Sequence, residues 1–363
     1  MRQNRLSITL LFQVCCFGLV SLLFGCGDSN GNNENTAGPG GTPADPKEQV
    51  LNVYSARHYD SDNELYTRFT EETGIKINLI EGKADDLLSR LGREGDLSPA
   101  DIFITVDAAR LQKAIDADLF QPIDSELLKQ RVPASLRHPD GLWYGLSMRV
   151  RCIFLSLDVP EDYVTTYAEL ADSKIEGELL IRSSSNVYNQ SLIASLVDRL
   201  GAEQTQQWCE GVVRNMAREP QGGDTDQLRA LAAGEGKVAV ANHYYYANML
   251  QDTREGDAAL AAKIRIVFPN QEQDGAMVNV SGAGVLRTAP NKENAIKFLE
   301  YMTTVQAQEQ WVASSNEYPV VAEAKPAETV EGFGAFKGDP LNAQVLGDNN
   351  REAVQIMDRA GWR

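Results

Sequence analysis

A two-lobed α/β fold is what this sequence predicts, on three grounds. From residue 50 onward, short β-like runs alternate with amphipathic helices, which reads as a βαβ wind around a mostly parallel sheet. About 317 residues, 47–363, remain after a leader and polar tether, and that is too many for one typical core. Two stretches, Leu142 to Val150 and Val278 to Leu286, are placed to cross between the halves. A ligand would then sit in the cleft between lobes, with closure by a hinge.

The elements follow in order. Val50 to Tyr54 is a β-like run, followed by a polar turn from Ser55 to Asp60 and an amphipathic helix from Ser61 to Thr73 that Gly74 ends. Ile75 to Ile80 and Asp101 to Val106 read as strands, with helices over Ala84 to Glu94 and Ala108 to Ala117. Trp143 to Ser147 leads into a strand over Val150 to Leu157, then a short helix over Tyr167 to Ala171 and a strand at Leu179 to Ile181. From Tyr188 to Leu200, Leu192, Ile193, Leu196, Val197 and Leu200 share one helical face. Helices over Gln204 to Ala217 and Thr225 to Ala233 precede a strand, Val238 to Ala241, which runs into Asn242-His243-Tyr244. Helix is expected again over Ala247 to Asp252, and strands at Ile264 to Phe268, Val278 to Val280 and Gly282 to Leu286. Lys292 to Thr304 carries Ala295, Phe298, Leu299 and Met302 at helical spacing, and Gln306 to Ser314 continues that character. A last helix, Ala353 to Ala360, is expected to turn Val354 and Met357 inward.

The leader has its own logic. Arg2 and Arg5 precede an apolar run, Leu6 to Phe24, that ends in Leu23-Phe24-Gly25-Cys26. That is the pattern of an export signal, residues 1–25, closing on a lipoprotein box with Cys26 as the lipidated residue. A plain membrane anchor would also fit the length of the run, but a cysteine box followed at once by a polar linker favours cleavage. Residues 26–47 are rich in Gly, Asn, Pro, Ser and Thr and read as a flexible tether. The acyl chain on Cys26 would then supply the membrane anchor.

The formal charge is −17, and −19 without Arg2 and Arg5. So acidic a chain is a poor partner for nucleic acid. Of five cysteines only Cys152 and Cys209 fall within the fold, where pairing and separate burial are both open. There is no C-x-x-C, zinc spacing, G-x-S-x-G or Walker motif, and only three histidines. An enzyme has little material here.

Tyrosines carry the chemistry. His58-Tyr59 follows the first strand, Tyr188 opens a helix, and Tyr244-Tyr245-Tyr246 follows another strand. Each group lies at a junction where α/β proteins gather binding residues. Each has a plain alternative: a surface pair for His58 and Tyr59, a helix-start packing residue for Tyr188, and an aromatic core plug for Tyr244 and Tyr245, with Tyr246 assigned to the core. Taken together, phenols from several junctions point to a hard, highly charged cation, ferric iron first, because such a cation can drive off the phenolic proton. Carboxylates would suit calcium or magnesium, and thiolates or imidazoles softer metals. Arg149 and Arg151, on one face of the entering strand, could balance phenolate charge or hold an anion such as carbonate, or simply pair with the surplus acids. Ser183 and Ser184 precede a helix start that could seat an anion, or whose amides Ser185 or Asn186 caps.

Several motifs in order resemble one family. They are Asn52-Val53-Tyr54-Ser55-Ala56-Arg57-His58-Tyr59-Asp60, Ser98 to Asp107, Ile181 to Ser191 and Ala241-Asn242-His243-Tyr244-Tyr245, then Asn316-Glu317-Tyr318-Pro319-Val320-Val321 and Met357-Asp358-Arg359-Ala360-Gly361-Trp362. From about residue 50 to the C-terminus the chain resembles the ferric-iron-binding proteins of bacterial ABC importers, the FutA/FbpA group, and the FutA branch most. The resemblance implies a type II periplasmic-binding-protein fold with crossover hinge strands and an interlobe cleft. It places the metal ligands on Tyr59, Tyr188, Tyr244 and Tyr245, with His58 as an additional or state-dependent ligand. It implies Fe3+ as cargo, with room for a synergistic anion, and an ABC permease with its ATPase as partners. The long lipid tether departs from the group's pattern; with the Cys26 box it leads to the expectation of a monomer anchored by lipid in the periplasm or at the cell surface. His243 and Tyr246 depart from the group's pattern, which expects a smaller polar and a more aliphatic residue. Lobe 1 is expected over 48–147 and 278–330, and lobe 2 over 148–277 with 331–363. The competing expectations are a same-fold binding protein for a polyamine or an oxyanion, and an Fe(II)-binding variant.

Overall fold

In a computed structural model of the chain, residues 49–57, 59 and 62–363 are described. The signal run, the tether, Cys26 and His58 lie outside the described residues. The first half follows the expected alternation: β1 (Val50–Ser55), α1 (Asp62–Thr73), β2 (Lys76–Glu81), α2 (Ala84–Glu94), β3 (Ile102–Thr105), α3 (Ala108–Asp116) and α4 (Glu126–Arg131). β1 pairs in parallel with both β2 and β3. β3 is buried on both faces, which is why Ile102, Phe103 and Ile104 run without alternation. Leu87 and Leu91, one turn apart, are the buried face of α2.

β4 (Tyr144–Ser156) is one strand of 13 residues, where the sequence suggested a lead-in and a separate strand. Nor is β8 (Val278–Val285) split in two. Between them lie β5 (Leu179–Leu180), α5 (Val187–Leu200), α6 (Ala202–Asn215), α7 (Asp224–Ala232), β6 (Val238–Asn242), α8 (His243–Leu250), α9 (Asp257–Ala261) and β7 (Ile264–Val267). After β8 come α10 (Lys292–Met302), α11 (Val305–Ala313), β9 (Tyr318–Pro319), α12 (Glu328–Glu331), α13 (Gln344–Asp348) and α14 (Asn350–Arg359).

The strand order is β2-β1-β3-β8-β4-β6-β5, with β7 and β9 also on β4. β4 belongs to both halves. Its first part, from Tyr144 to Val150, pairs with β8, and Arg151 to Leu155 pairs with β6. β8 is antiparallel to both β3 and β4. The sheet is therefore mixed, not mostly parallel, because the crossing strands return by antiparallel pairing. Gly145 leaves no room for a side chain: a Cβ there would lie 2.7 Å from the Leu136 carbonyl oxygen.

The last segment packs on elements of both halves. α14 packs on α5 and α6, α12 on α8, and α13 lies against both α3 and α5. Met357 faces inward as expected, together with Ala353 and Ile356, but Val354 is exposed, because Ala353 takes the inward position one turn before Met357. Cys152 and Cys209 are both buried and unpaired. Among the described residues no helix is long and apolar enough to cross a membrane.

Candidate metal centre

Three chain junctions deliver phenols to one cavity. β1 ends at Ser55, and the next residues are held in place by the Ala56 amide donating to the Ile104 carbonyl at 2.8 Å and by the Ser55 hydroxyl meeting the Arg57 amide at 3.1 Å. Arg57 is 1 % exposed. Its guanidinium donates to Asp62 at 2.9 Å, to Glu317 at 2.7 Å and to the Trp311 carbonyl at 3.1 Å. It lies between the Trp311 ring, 4.0 Å away, and the Tyr59 ring, 4.4 Å away. A guanidinium over an aromatic face is a favourable, geometry-fixing contact, so Tyr59 rests on a buried charged platform.

The second junction is the start of α5. Asn186 caps it by accepting from the amides of Tyr188 and Asn189 at 3.1 and 3.4 Å, so capping is the work done here and the serines are not needed for it. Ser183 pairs with Ser185 through hydroxyls 2.7 Å apart, and the Ser184 amide donates to the Arg363 carbonyl at 3.3 Å. Ser191, one turn into α5, donates to Asp107 at the start of α3 at 3.1 Å, a direct tie between the two halves.

The third junction is sharper than the sequence suggested. β6 passes straight into α8 at His243, so Tyr244 and Tyr245 occupy the first turn of the helix. Side chains in successive positions of a first turn can reach one point, which a strand would forbid. Their ring centroids are 4.2 Å apart. Tyr246 points the other way, against Phe154 and Phe333, with its hydroxyl near the carbonyls of Ala261 and Ile264.

A cavity of about 310 Å³ is lined by Tyr59, Tyr188, Tyr244, Arg57, Arg149 and Glu317, with Ala56 and Val106. Tyr245 packs on Tyr244 without lining the cavity, close enough for the Tyr188 phenol to act on it. Burial, then Glu317, pushes the Tyr59 phenol up to about 12. Burial, then the Tyr188 phenol, raises Tyr244 and Tyr245. Burial therefore favours the protonated form of these phenols at neutral pH. Among the described residues no group of three or more His, Cys, Asp or Glu side chains could hold a metal ion.

The arginines divide. Arg149 lines the cavity, 5.6 Å from the Tyr188 ring centroid. Its amino groups reach the Val106 carbonyl, the Ser281 hydroxyl and Glu317, the last at 2.9 Å. Only its Nε lacks a partner among the described residues. Arg151 does not line the cavity. It is fully buried, donating to Asp224 at 2.7 Å, Asn242 at 3.2 Å and Asn189 at 2.6 Å, and so ties the starts of α5, α7 and α8 together. Two residues of the centre were not singled out in the sequence, Arg57 and Glu317. The available signal was their place inside the two family-like motifs, beside Tyr59 and before β9.

Residues 98–332 match the profile of a family described as bacterial extracellular solute-binding protein. The chain belongs to that family. This solute-binding protein is 48 % identical over 318 residues to iron uptake protein A1 of Synechocystis sp. (strain ATCC 27184 / PCC 6803 / Kazusa), covering 87 % of its own length and 88 % of the relative's. Among solved structures it is similar to Trichodesmium FutA (IdiA) in complex with iron and citrate, with a TM-score of 0.85, 48 % identity, and coverage of 86 % of this chain and all of that one. The ferric binding protein from Campylobacter jejuni matches at a TM-score of 0.80 and 37 % identity, over 86 % of this chain and all of that one. The two-lobed periplasmic-binding-protein fold expected from the resemblance is thereby established.

Proposed function

We propose that this protein is the extracytoplasmic Fe(III)-binding component of an ABC iron importer and that its metal ligands are Tyr59, Tyr188, Tyr244 and Tyr245, with His58 as a further ligand. The observation that carries this reading is the convergence of three phenols, one from each junction, on one cavity, with Tyr245 packed against Tyr244; among the described residues no cluster of carboxylates, thiolates or imidazoles competes with them. Relatives named for iron uptake support the cargo, and the Trichodesmium structure contains iron. Tyr188, Tyr244 and Tyr245, from the second half, receive the ion. Closure then brings Tyr59 from the first. Each phenol gives its proton to water as the bond to iron forms, and the buried arginines balance the phenolate charge. No turnover follows; iron is handed on to a permease with its ATPase.

The lipid anchor on Cys26, a monomeric state, and placement in the periplasm or at the cell surface belong to the same proposal, supported by the Leu23-Phe24-Gly25-Cys26 box and the polar linker behind it. The test is a titration of purified apo protein with ferric citrate in air and with Fe(II) under argon. A visible charge-transfer band that saturates at one iron per chain in air is expected. A colourless protein that retains ferric iron, or one that takes only Fe(II), refutes the phenolate assignment.

A further inference from the structure

Glu317 is 3 % exposed, yet it lines the cavity. Its Oε2 accepts from Arg57 at 2.7 Å, from the Ser147 hydroxyl at 2.7 Å and from the Ser315 hydroxyl at 3.4 Å. Its Oε1 faces Arg149 at 2.9 Å. Those are the two guanidiniums that lie against the rings of Tyr59 and Tyr188. Both carboxylate oxygens are therefore engaged away from the phenols.

The backbone that carries Glu317 is fixed from both sides. Asn316 holds a left-handed conformation, φ 53°, which asparagine tolerates better than most residues. Its side-chain amide donates to Asn248 at 2.7 Å and to Gln251 at 2.9 Å, on α8 and at its end. Tyr318 on the other side pairs with Met148 of β4. One short segment thus touches the support of every phenol: Tyr59 through Arg57, Tyr188 through Arg149, and the helix of Tyr244 and Tyr245 through Asn316.

We propose that Glu317 is a positioning residue for the metal: one carboxylate orients both guanidiniums beneath the phenols that meet across the cleft, and offsets their charge. This rests on the Fe(III) reading above. Without the Glu317 charge, Arg149 loses its carboxylate partner and Arg57 keeps only Asp62, so the excess positive charge against the rings would hold the phenolate electrons more tightly. Because the guanidiniums lie against the rings, they lower the donor orbitals more than those of the metal. The charge-transfer transition then moves to shorter wavelength and the phenolates become weaker donors.

The experiment compares the full chain with its Glu317→Gln and Glu317→Asp variants, loaded with ferric iron. Three quantities are read: the wavelength of the band, the Fe(III) affinity by citrate competition, and the apo melting temperature. Glu317→Gln keeps the shape and removes the charge. Its band is expected at shorter wavelength, with affinity about 10- to 100-fold lower, the usual scale for a partner of a metal ligand. Glu317→Asp keeps the charge and loses reach, so its affinity falls while the band stays at the wild-type wavelength. The proposal is overturned if Glu317→Gln keeps the wild-type band, whatever its melting temperature, or if Glu317→Asp shifts the band as far as Glu317→Gln. Should Glu317→Gln not fold, the Glu317→Asp pattern decides alone. If the wild type itself shows no band, it is the Fe(III) reading that falls.

Discussion

Replacing Arg151 by leucine removes the tie that holds three helix starts in register beneath Tyr188, Tyr244 and Tyr245. Both Arg151 and Asp224 are fully buried, with their charged groups 2.7 Å apart. Removing one member leaves the other desolvated without its partner, which costs about 3–5 kcal/mol. Arg182 remains 3.8 Å from the far oxygen of Asp224, so the lower end, about 3 kcal/mol, is the expected loss. For a protein of this size that lowers the melting temperature by about 6 °C, at roughly 2 °C per kcal/mol. Calorimetry and urea denaturation of the apo protein measure it. The decisive comparison is the cycle with Asp224→Asn. Once the charge is gone from both sides, the double variant is expected to recover most of the loss, giving a coupling energy of at least about 2 kcal/mol. If the two single losses add to within about 0.5 kcal/mol, the pair is not coupled and the reasoning fails.

Three further outcomes are expected. Tyr188→Phe and Tyr245→Phe each bleach the ferric band and weaken binding, while Tyr246→Phe, whose ring packs on Phe154, leaves the band in place; absorbance titration checks this, and the reverse result would reassign the triplet. Because burial keeps Tyr59 up at about 12 and raises Tyr244 and Tyr245, each phenol must lose a proton to bind iron. Affinity should therefore climb with pH, by up to about tenfold per unit for each proton released, and dialysis against citrate at fixed pH values would refute this with a flat profile. Stability in acid follows Glu317. Burial would raise its carboxyl, but Arg149 and Arg57 more than offset that and hold it at about 2 against an ordinary 4.5. Its contribution is present above 4.5 and is lost as pH falls through about 2. His243, depressed by burial to about 4, loses stability between 6.5 and 4, while Asp62, pushed up by burial to about 6, works in the opposite sense between 6 and 3.8. The steep loss in urea midpoint is expected below about pH 4.

The elements legible in the sequence are those with a local signature. α2 was expected over Ala84 to Glu94 and spans those residues, because its leucines repeat every turn and Gly95 follows. Tyr188 was legible as a helix start because Asn186 is a strong cap. The continuous β4 was not, because Gly145 and the bulge beside it mimic a break while the pairing that keeps the strand going comes from β8, more than a hundred residues away. Arg57 and Glu317 escaped for a similar reason. A buried charge betrays itself only through its partner, and theirs stand 260 residues apart. The role of Arg151 as a frame rather than a cavity-lining group likewise depends on Asp224 and Asn189, 73 and 38 residues downstream.

The strand β8 has a consequence for the order in which the molecule can assemble. β3 has β1 on one side and takes β8 on the other, so one edge of the first sheet stays bare until residue 285 has joined it. Closing a loop of that length is slow compared with forming a hairpin. A nascent or translocating chain therefore passes most of its length with an unfinished interior, and native structure arrives late. Refolding from urea should show little native near-ultraviolet signal in a fragment ending at residue 277, and a single slow phase in the full chain.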